Sequence, residues 1–262
     1  MNPLHRPRKR FGQHFLHDSG VIDRLIRAID PRPDETLVEI GPGHGALTRE
    51  LLNYVEHLHV VEIDRDLAAA LEKNLKHTNV TIHCVDALKF DITSIGDTAL
   101  RIVGNLPYNI STPLLFHLLE NADVIRDMHF MLQKEVVDRL AASEGNKQYG
   151  RLSVMMQSVC RIEKLFDVSP GAFSPPPRVE SSVVRLLPDS KLSSRIRDPI
   201  LFRELVRDAF NQRRKTLRNA IHRQLAAEEI QALGIAPDLR PENLTVEQYI
   251  TLSNHCFEAQ NG

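Results

Sequence analysis

Asn105-Leu106-Pro107-Tyr108 follows a short apolar run, Arg101-Ile102-Val103-Gly104, that reads as a buried strand. At a strand end these four residue types can hold a nucleobase amine. The amide oxygen of Asn105 and the backbone carbonyl of Leu106 are two acceptors for an exocyclic NH2. Pro107 has no N–H and fixes its φ near about −65°, which stiffens the turn. Tyr108 offers a flat ring on which a base can stack. The same four residues also read as an ordinary strand-ending turn with a buried tyrosine, and the rest of the chain must decide between the two.

Three earlier strand ends bear on that choice. Val38-Glu39-Ile40-Gly41-Pro42-Gly43-His44-Gly45-Ala46-Leu47-Thr48 reads as a strand, a glycine loop and a helix start. Glycines let backbone approach a ligand closely, and the helix start presents free N–H groups. Gly41-x-Gly43-x-x-Ala46 fits the dinucleotide pattern, whereas Gly41-x-Gly43-x-Gly45 fits the loop of S-adenosylmethionine (SAM) enzymes. Glu62 ends the next strand, where a carboxylate can accept from both ribose hydroxyls. Asp86 ends the third, where it can accept from an adenine amino group. Either acid alone also reads as a helix cap or turn residue. Gly, Glu, Asp and Asn at four successive strand ends would all lie on the carboxyl edge of a sheet, where open α/β folds bind ligands. A dehydrogenase has no use for N-x-P-Y at its fourth strand. A methyltransferase acting on a base amine needs something like it.

The elements that must position these residues alternate. Strands are expected over 36–40, 57–63, 80–85, 100–104, 128–132, 162–168 and 182–187. Helices are expected over 45–53, 65–76, 113–120, 135–142 and 151–159. This is an α/β pattern with a mostly parallel sheet, helices on both faces and room for an antiparallel edge member. The polar, patternless run from Pro188 to Ser194 reads as part of a linker over 188–198. Helical patterns over 199–224, 226–233 and 246–255 predict a small all-helical C-terminal domain over 199–262. The catalytic domain is then 1–187, with residues 1–12 as a flexible basic arm.

The 262 residues are 42% hydrophobic and 26% charged, enough apolar mass for a sizeable core. No apolar run approaches a membrane span, and the N-terminus has no apolar signal core, so a cytoplasmic location is expected. Cys84, Cys160 and Cys256 are odd in number and far apart, which fits reduced thiols. The twelve histidines form no metal-ligand pattern, so no metal is expected. Net charge is −1, yet its distribution is uneven. Arg6, Arg8, Lys9 and Arg10 crowd the start. Ten basic residues against three acids between Lys191 and Arg223 leave that segment at +7. On a continuous helix Arg203, Arg207, Arg214 and Arg218 fall on one stripe suited to RNA phosphates. Nothing calls for more than a monomer.

Glu39-Ile40-Gly41-Pro42-Gly43-His44-Gly45, Asn105-Leu106-Pro107-Tyr108-Asn109-Ile110-Ser111-Thr112-Pro113 and Phe173-Ser174-Pro175-Pro176-Pro177-Arg178-Val179-Glu180-Ser181 together resemble the ribosomal RNA adenine dimethyltransferases, in particular their small-subunit branch. Gly12-Gln13-His14-Phe15-Leu16, Gln148-Tyr149-Gly150-Arg151-Leu152-Ser153-Val154 and the run from Asn211 to Asn219 extend the resemblance over residues 10–250. It implies a Rossmann-like SAM methyltransferase sheet and SAM contacts at His14, Leu16, Gly41, Glu62, Asp86 and Asn105. It also implies N6,N6-dimethylation of two adjacent adenosines in the 3′-terminal hairpin of small-subunit rRNA, with a role in subunit biogenesis. One departure stands out: the family commonly has Asn where this chain has His14, and imidazole can still donate or accept a hydrogen bond. Asn105, Leu106, Pro107 and Tyr108 are then the catalytic turn, and Phe173 is the candidate second aromatic wall for an unstacked adenine. Three other readings remain: a large-subunit methyltransferase of the erythromycin-resistance type, a non-catalytic assembly factor that retains the fold, and, more distantly, an NAD oxidoreductase.

Overall fold

The computed structural model describes residues 13–96 and 99–261, so the expected basic arm over residues 1–12 lies outside it. Among the described residues nine strands form: β1 (Phe15–Leu16), β2 (Leu37–Ile40), β3 (Leu58–Val61), β4 (Val80–His83), β5 (Leu100–Asn105), β6 (Ile125–Gln133), β7 (Cys160–Val168), β8 (Phe173–Ser174) and β9 (Ser181–Pro188). Seven make one sheet in the order β4-β3-β2-β5-β6-β9-β7, and β1 and β8 pair separately as a short antiparallel ribbon. β4, β3, β2, β5 and β6 run parallel, while β9 is antiparallel to β6. All seven expected sheet strands are present. The ribbon was not anticipated, because two residues carry no periodicity.

β2 sits between β3 and β5, and both of its faces are covered, which explains its nearly continuous apolar run. The chain leaves β2 toward β3 on one side and returns to β5 on the other. That reversal opens a crevice between the carboxyl ends of β2 and β5. Gly104 is what lets the two strands close up there: a Cβ on it would run into the backbone carbonyl of Ile40.

The helices as far as β7 are, in chain order, α1 (Ser19–Ile29), α2 (Ala46–Leu51), α3 (Arg65–Asn74), α4 (Ser111–Leu119), α5 (Lys134–Leu140) and α6 (Arg151–Gln157). α1 starts where Asp18 accepts from the Val21 amide at 2.9 Å, and it buries Ile22, Leu25, Ile26 and Ile29. Asp64 caps α3 through the Asp66 amide. The remaining helices are α7 (Ser190–Ser193), α8 (Pro199–Asn211), α9 (Leu217–Ala220), α10 (Ala227–Ala232) and α11 (Val246–Asn261).

The chain divides into two compact units. The first holds residues as far as Val137 together with Glu163–Pro188, and the second holds Asp138–Ile162 together with Asp189 onward. The sequence-based boundary at 187 therefore needs a correction. Tyr149 and Val154 are buried with Phe202, Leu205, Val206 and Tyr249 in the core of the second unit, so α6 belongs to it. The stretch over 188–198 is not a patternless tether either, because Asp189 caps α7 through the Lys191 amide. The expected helix over 199–224 is two helices. α8 begins well, with Pro199 in its first turn and the Asp198 carboxylate accepting from Ile200 and Leu201. It ends at Asn211, where Gln212 leaves helical geometry, and the Leu217 amide then turns to the Leu239 carbonyl at 2.7 Å.

Candidate active site

The first unit contains a cleft at the β2/β5 crevice, and the four strand ends named from the sequence line it. After β2, Gly41 (φ 70°) donates its amide to the Val61 carbonyl at 2.9 Å. Gly43 has φ 59°, and a Cβ there would lie 2.7 Å from the Phe15 ring, so glycine is needed both for the turn and for the close approach of Phe15.

Glu62, just past β3, is 5% exposed. Its carboxylate accepts from the Asp64 amide at 2.9 Å and, more weakly, from the Gly43 amide at 3.4 Å. Burial raises its pKa, and the two amides oppose that rise. A carboxylate with acceptor capacity to spare at the rim of a cleft suits a diol. Asp86 follows β4 and accepts from the Leu88 amide at 3.0 Å, leaving its second oxygen for another donor.

Asn105 closes β5. Its Nδ2 donates to the His14 carbonyl at 2.9 Å. A carbonyl can only accept, so this contact fixes which way the amide faces and leaves Oδ1 pointing away from His14. Among the described residues no donor reaches that oxygen. Leu106 is buried, with its amide on the Met131 carbonyl, and Pro107 caps the turn by accepting from Ile110. The Tyr108 hydroxyl bonds Ser181 Oγ at 2.8 Å, and burial raises the phenol pKa.

His14 contributes three contacts. Beyond its carbonyl, Nδ1 lies 2.8 Å from the Pro175 carbonyl, which makes Nδ1 the protonated nitrogen. Its ring stacks on Tyr108 at 5.5 Å and 29°. Leu16 in β1 lines the same cleft and pairs with Phe173 in β8. The segment around His14 thus straps the cleft to both Asn105 and the 172–175 loop.

Phe173 is not brought to the cleft. It is 2% exposed and packs in the core with Leu16, Val168 and Val183, so its ring has no open face for a base. Sequence reasoning also passed over Glu39. This β2 carboxyl is 2% exposed, lines the cleft and accepts only from Thr48 Oγ1 at 2.6 Å among the described residues. Burial pushes it up to about 7, against the Thr48 hydrogen bond. An acid inside an otherwise apolar central strand was the available signal.

In the second unit Arg203 and Arg207 share α8, whereas Arg214 lies in the turn after it and Arg218 on α9. The single helical stripe is therefore corrected to an exposed pair on α8, with Arg214 exposed in the following turn and Arg218 exposed on α9. Arg207 pairs with Asp208 and Arg218 with Asp238, while Arg203 and Arg214 have no ion-pair partner among the described residues. Cys84, Cys160 and Cys256 are free thiols. No described helix is long and apolar enough to cross a membrane.

Comparison with known proteins accords with this geometry. A family model described as ribosomal RNA adenine dimethylase matches residues 4–257. A ribosomal RNA small subunit methyltransferase A from Pseudomonas fluorescens is 54% identical over 95% of this chain and 94% of its own. One of the same name from Nitrosococcus oceani is 55% identical over 99% of this chain and all of its own. Among solved structures, a dimethyladenosine transferase from Plasmodium falciparum superposes with a TM-score of 0.83 at 24% identity, covering 94% of this chain and 98% of that one. The 23S rRNA methyltransferase ErmE superposes at 0.74 and 23% identity, covering 93% and 99%. These two likenesses establish a SAM methyltransferase fold with a helical C-terminal part, and the fold alone does not separate enzymes of the two ribosomal subunits. With a family model spanning nearly its whole length and relatives identical at more than half of their positions, the chain belongs to the ribosomal RNA adenine dimethylase family.

Proposed function

We propose that this protein transfers methyl groups from SAM to N6 of two adjacent adenosines in small-subunit ribosomal RNA. The observation that carries the reading is the orientation of Asn105: its amide nitrogen is tied to His14, so Oδ1 is a preset acceptor at the cleft. The donor set fits the methyl donor. Glu62 suits the ribose hydroxyls, Asp86 the adenine amine, and the Gly41–Gly45 loop a close backbone approach, with His14 and Leu16 closing the cleft. The donor supplies an electrophilic methyl on a sulfonium sulfur.

The chain's own residues do the rest. The N6 lone pair of adenine is delocalised into the ring and attacks poorly. Asn105 Oδ1 and the Leu106 carbonyl accept its two N–H bonds, favour a pyramidal nitrogen and stabilise the positive charge that develops on it. Tyr108 holds the unstacked base by one face. The methylated ammonium is acidic and loses its proton to water, so no general base is needed. After the first transfer one N–H remains, and only one of the two acceptors stays engaged. Exposed Arg203, Arg207, Arg214 and Arg218 give the RNA phosphates a basic surface on the second unit. A monomer in the cytoplasm, acting during small-subunit assembly, completes the proposal.

The small-subunit assignment draws on the printed names of the close relatives. The likeness to ErmE keeps large-subunit RNA as the alternative substrate. Incubation with tritiated SAM and either unmethylated small subunits or large-subunit RNA separates them. Label in N6,N6-dimethyladenosine of the small subunit is expected. Label confined to large-subunit RNA overturns the assignment, and tight subunit binding without label in either makes the protein a non-catalytic assembly factor.

A further inference from the structure

Ser181 has no part in the chemistry just described, yet its hydroxyl lies 2.8 Å from the Tyr108 hydroxyl across 73 residues of chain. Its own position is rigid. It opens β9, is fully buried and faces Gln133 in the β6–β9 register. Its neighbour Glu180 accepts from the Lys134 amide at 3.0 Å. Tyr108 is held at its other end by the turn, where the Pro107 carbonyl accepts from Ile110 and the Tyr108 carbonyl from Ser111 Oγ at 3.2 Å. The phenol ring is therefore a strut running from the end of β5 to the start of β9, past β6.

An aromatic side chain on a turn has a broad χ2 well and swings easily. Stacking energy depends on ring attitude, so a base platform works best when both ends are pinned. One face of the ring already meets His14, and no other described ring touches Tyr108. We propose that Ser181 is a positioning residue: by holding the Tyr108 hydroxyl it fixes the ring at the attitude that receives the target adenine. This inference rests on the assignment of Tyr108 as the surface that receives the base.

Three variants test it: Ser181→Ala, Tyr108→Phe and the double variant. Each removes the same hydrogen bond, from one end or from both, and keeps the aromatic ring on residue 108. Loss of one neutral hydrogen bond predicts about a fivefold drop in kcat/KM for RNA in each. The double variant should fall no further than either single one, SAM affinity should hold, and Ser181→Thr, which retains a hydroxyl, should recover activity. With 2-aminopurine at the target adenosine, the emission of the bound base should change equally in all three hydroxyl-deficient proteins. Losses that multiply in the double variant overturn the proposal, as does an unchanged kcat/KM in Tyr108→Phe, which is informative even if Ser181→Ala fails to fold. Failure of the underlying assignment looks different: Tyr108→Ala would then leave RNA turnover intact.

Discussion

The Asn105 side-chain amide is bonded to the His14 backbone carbonyl at 2.9 Å, joining the end of β5 to a segment 91 residues earlier in the chain. The contact has two effects. It sets the orientation of Oδ1, and it fastens the strap that helps enclose the cleft.

Asn105→Ala removes both effects. Loss of one preorganised acceptor lowers kcat by about 10²–10³-fold by analogy with oxyanion-hole donors. RNA binding depends on other surfaces and should change little. Single-turnover methylation alongside filter binding of RNA checks this, and equal losses in both would contradict the assigned role.

Gly43→Ala probes the cofactor loop. The added Cβ would stand 2.7 Å from the Phe15 ring, at a φ of 59° that side chains rarely adopt. Phe15 must move, and the strap moves with it. SAM affinity measured by calorimetry should fall by at least about fivefold, given a cost of order 1–3 kcal/mol for such backbone strain. Unaltered affinity would show that the loop does not meet the donor closely.

Glu39 predicts a pH signature in stability. Its carboxyl stays protonated in the fold up to about 7, whereas 4.5 is its ordinary value. Between those values the unfolded chain gives up the proton and the folded chain keeps it. This group therefore lowers stability as pH rises through that window, by an amount of order 3 kcal/mol in total. Glu39→Gln keeps an acceptor for Thr48 Oγ1 and removes the titration. The melting temperature of the variant relative to the parent should be near parity at pH 4.5 and clearly higher at pH 8. A difference that is flat with pH would refute the burial argument.

The arginines differ in how free they are. Arg203 and Arg214 carry no acid partner among the described residues, while Arg207 and Arg218 are already paired on the protein. If all four meet phosphates, replacing them with alanine should reduce the slope of log K against log salt by up to about 3, since each contact contributes roughly 0.7–0.9. If the acids paired with Arg207 and Arg218 keep those two from the RNA, Arg203→Ala and Arg214→Ala account for the whole change, and the slope falls by only about 1.5. An RNA-binding slope that stays the same counts against this surface.

How much of this could be read beforehand depends on the length of the signal. The sheet strands announce themselves as apolar runs, and the residues that follow or close four of them, Gly41, Glu62, Asp86 and Asn105, all line the cleft, so its lining was readable from their order along the chain. α1 was missed although Ile22, Leu25, Ile26 and Ile29 repeat at helical intervals behind the Asp18 cap; that signal was present in the chain. The break after Asn211 was not readable in the same way. The run from Asn211 to Asn219 is helix-compatible locally, and only the distant Leu239 carbonyl draws the Leu217 amide out of line. Phe173 shows a similar limit. Its neighbours in the motif suggest a functional aromatic, but pairing with Leu16 turns the ring inward. The place of α6 in the second unit is likewise decided by packing partners some fifty to a hundred residues further along.

The contact between His14 Nδ1 and the Pro175 carbonyl closes a loop of 161 residues. A growing chain must be made past β8 before the strap can find its second anchor, so during synthesis the cleft is completed after the sheet strands that flank it have already emerged. Contacts of such long range form late, because the ordering entropy of the intervening chain is spent first. The strap can be fastened at both ends only on a chain synthesised beyond residue 175, and nascent fragments that stop before it carry the glycine loop and the Asn105–Tyr108 turn without that closure.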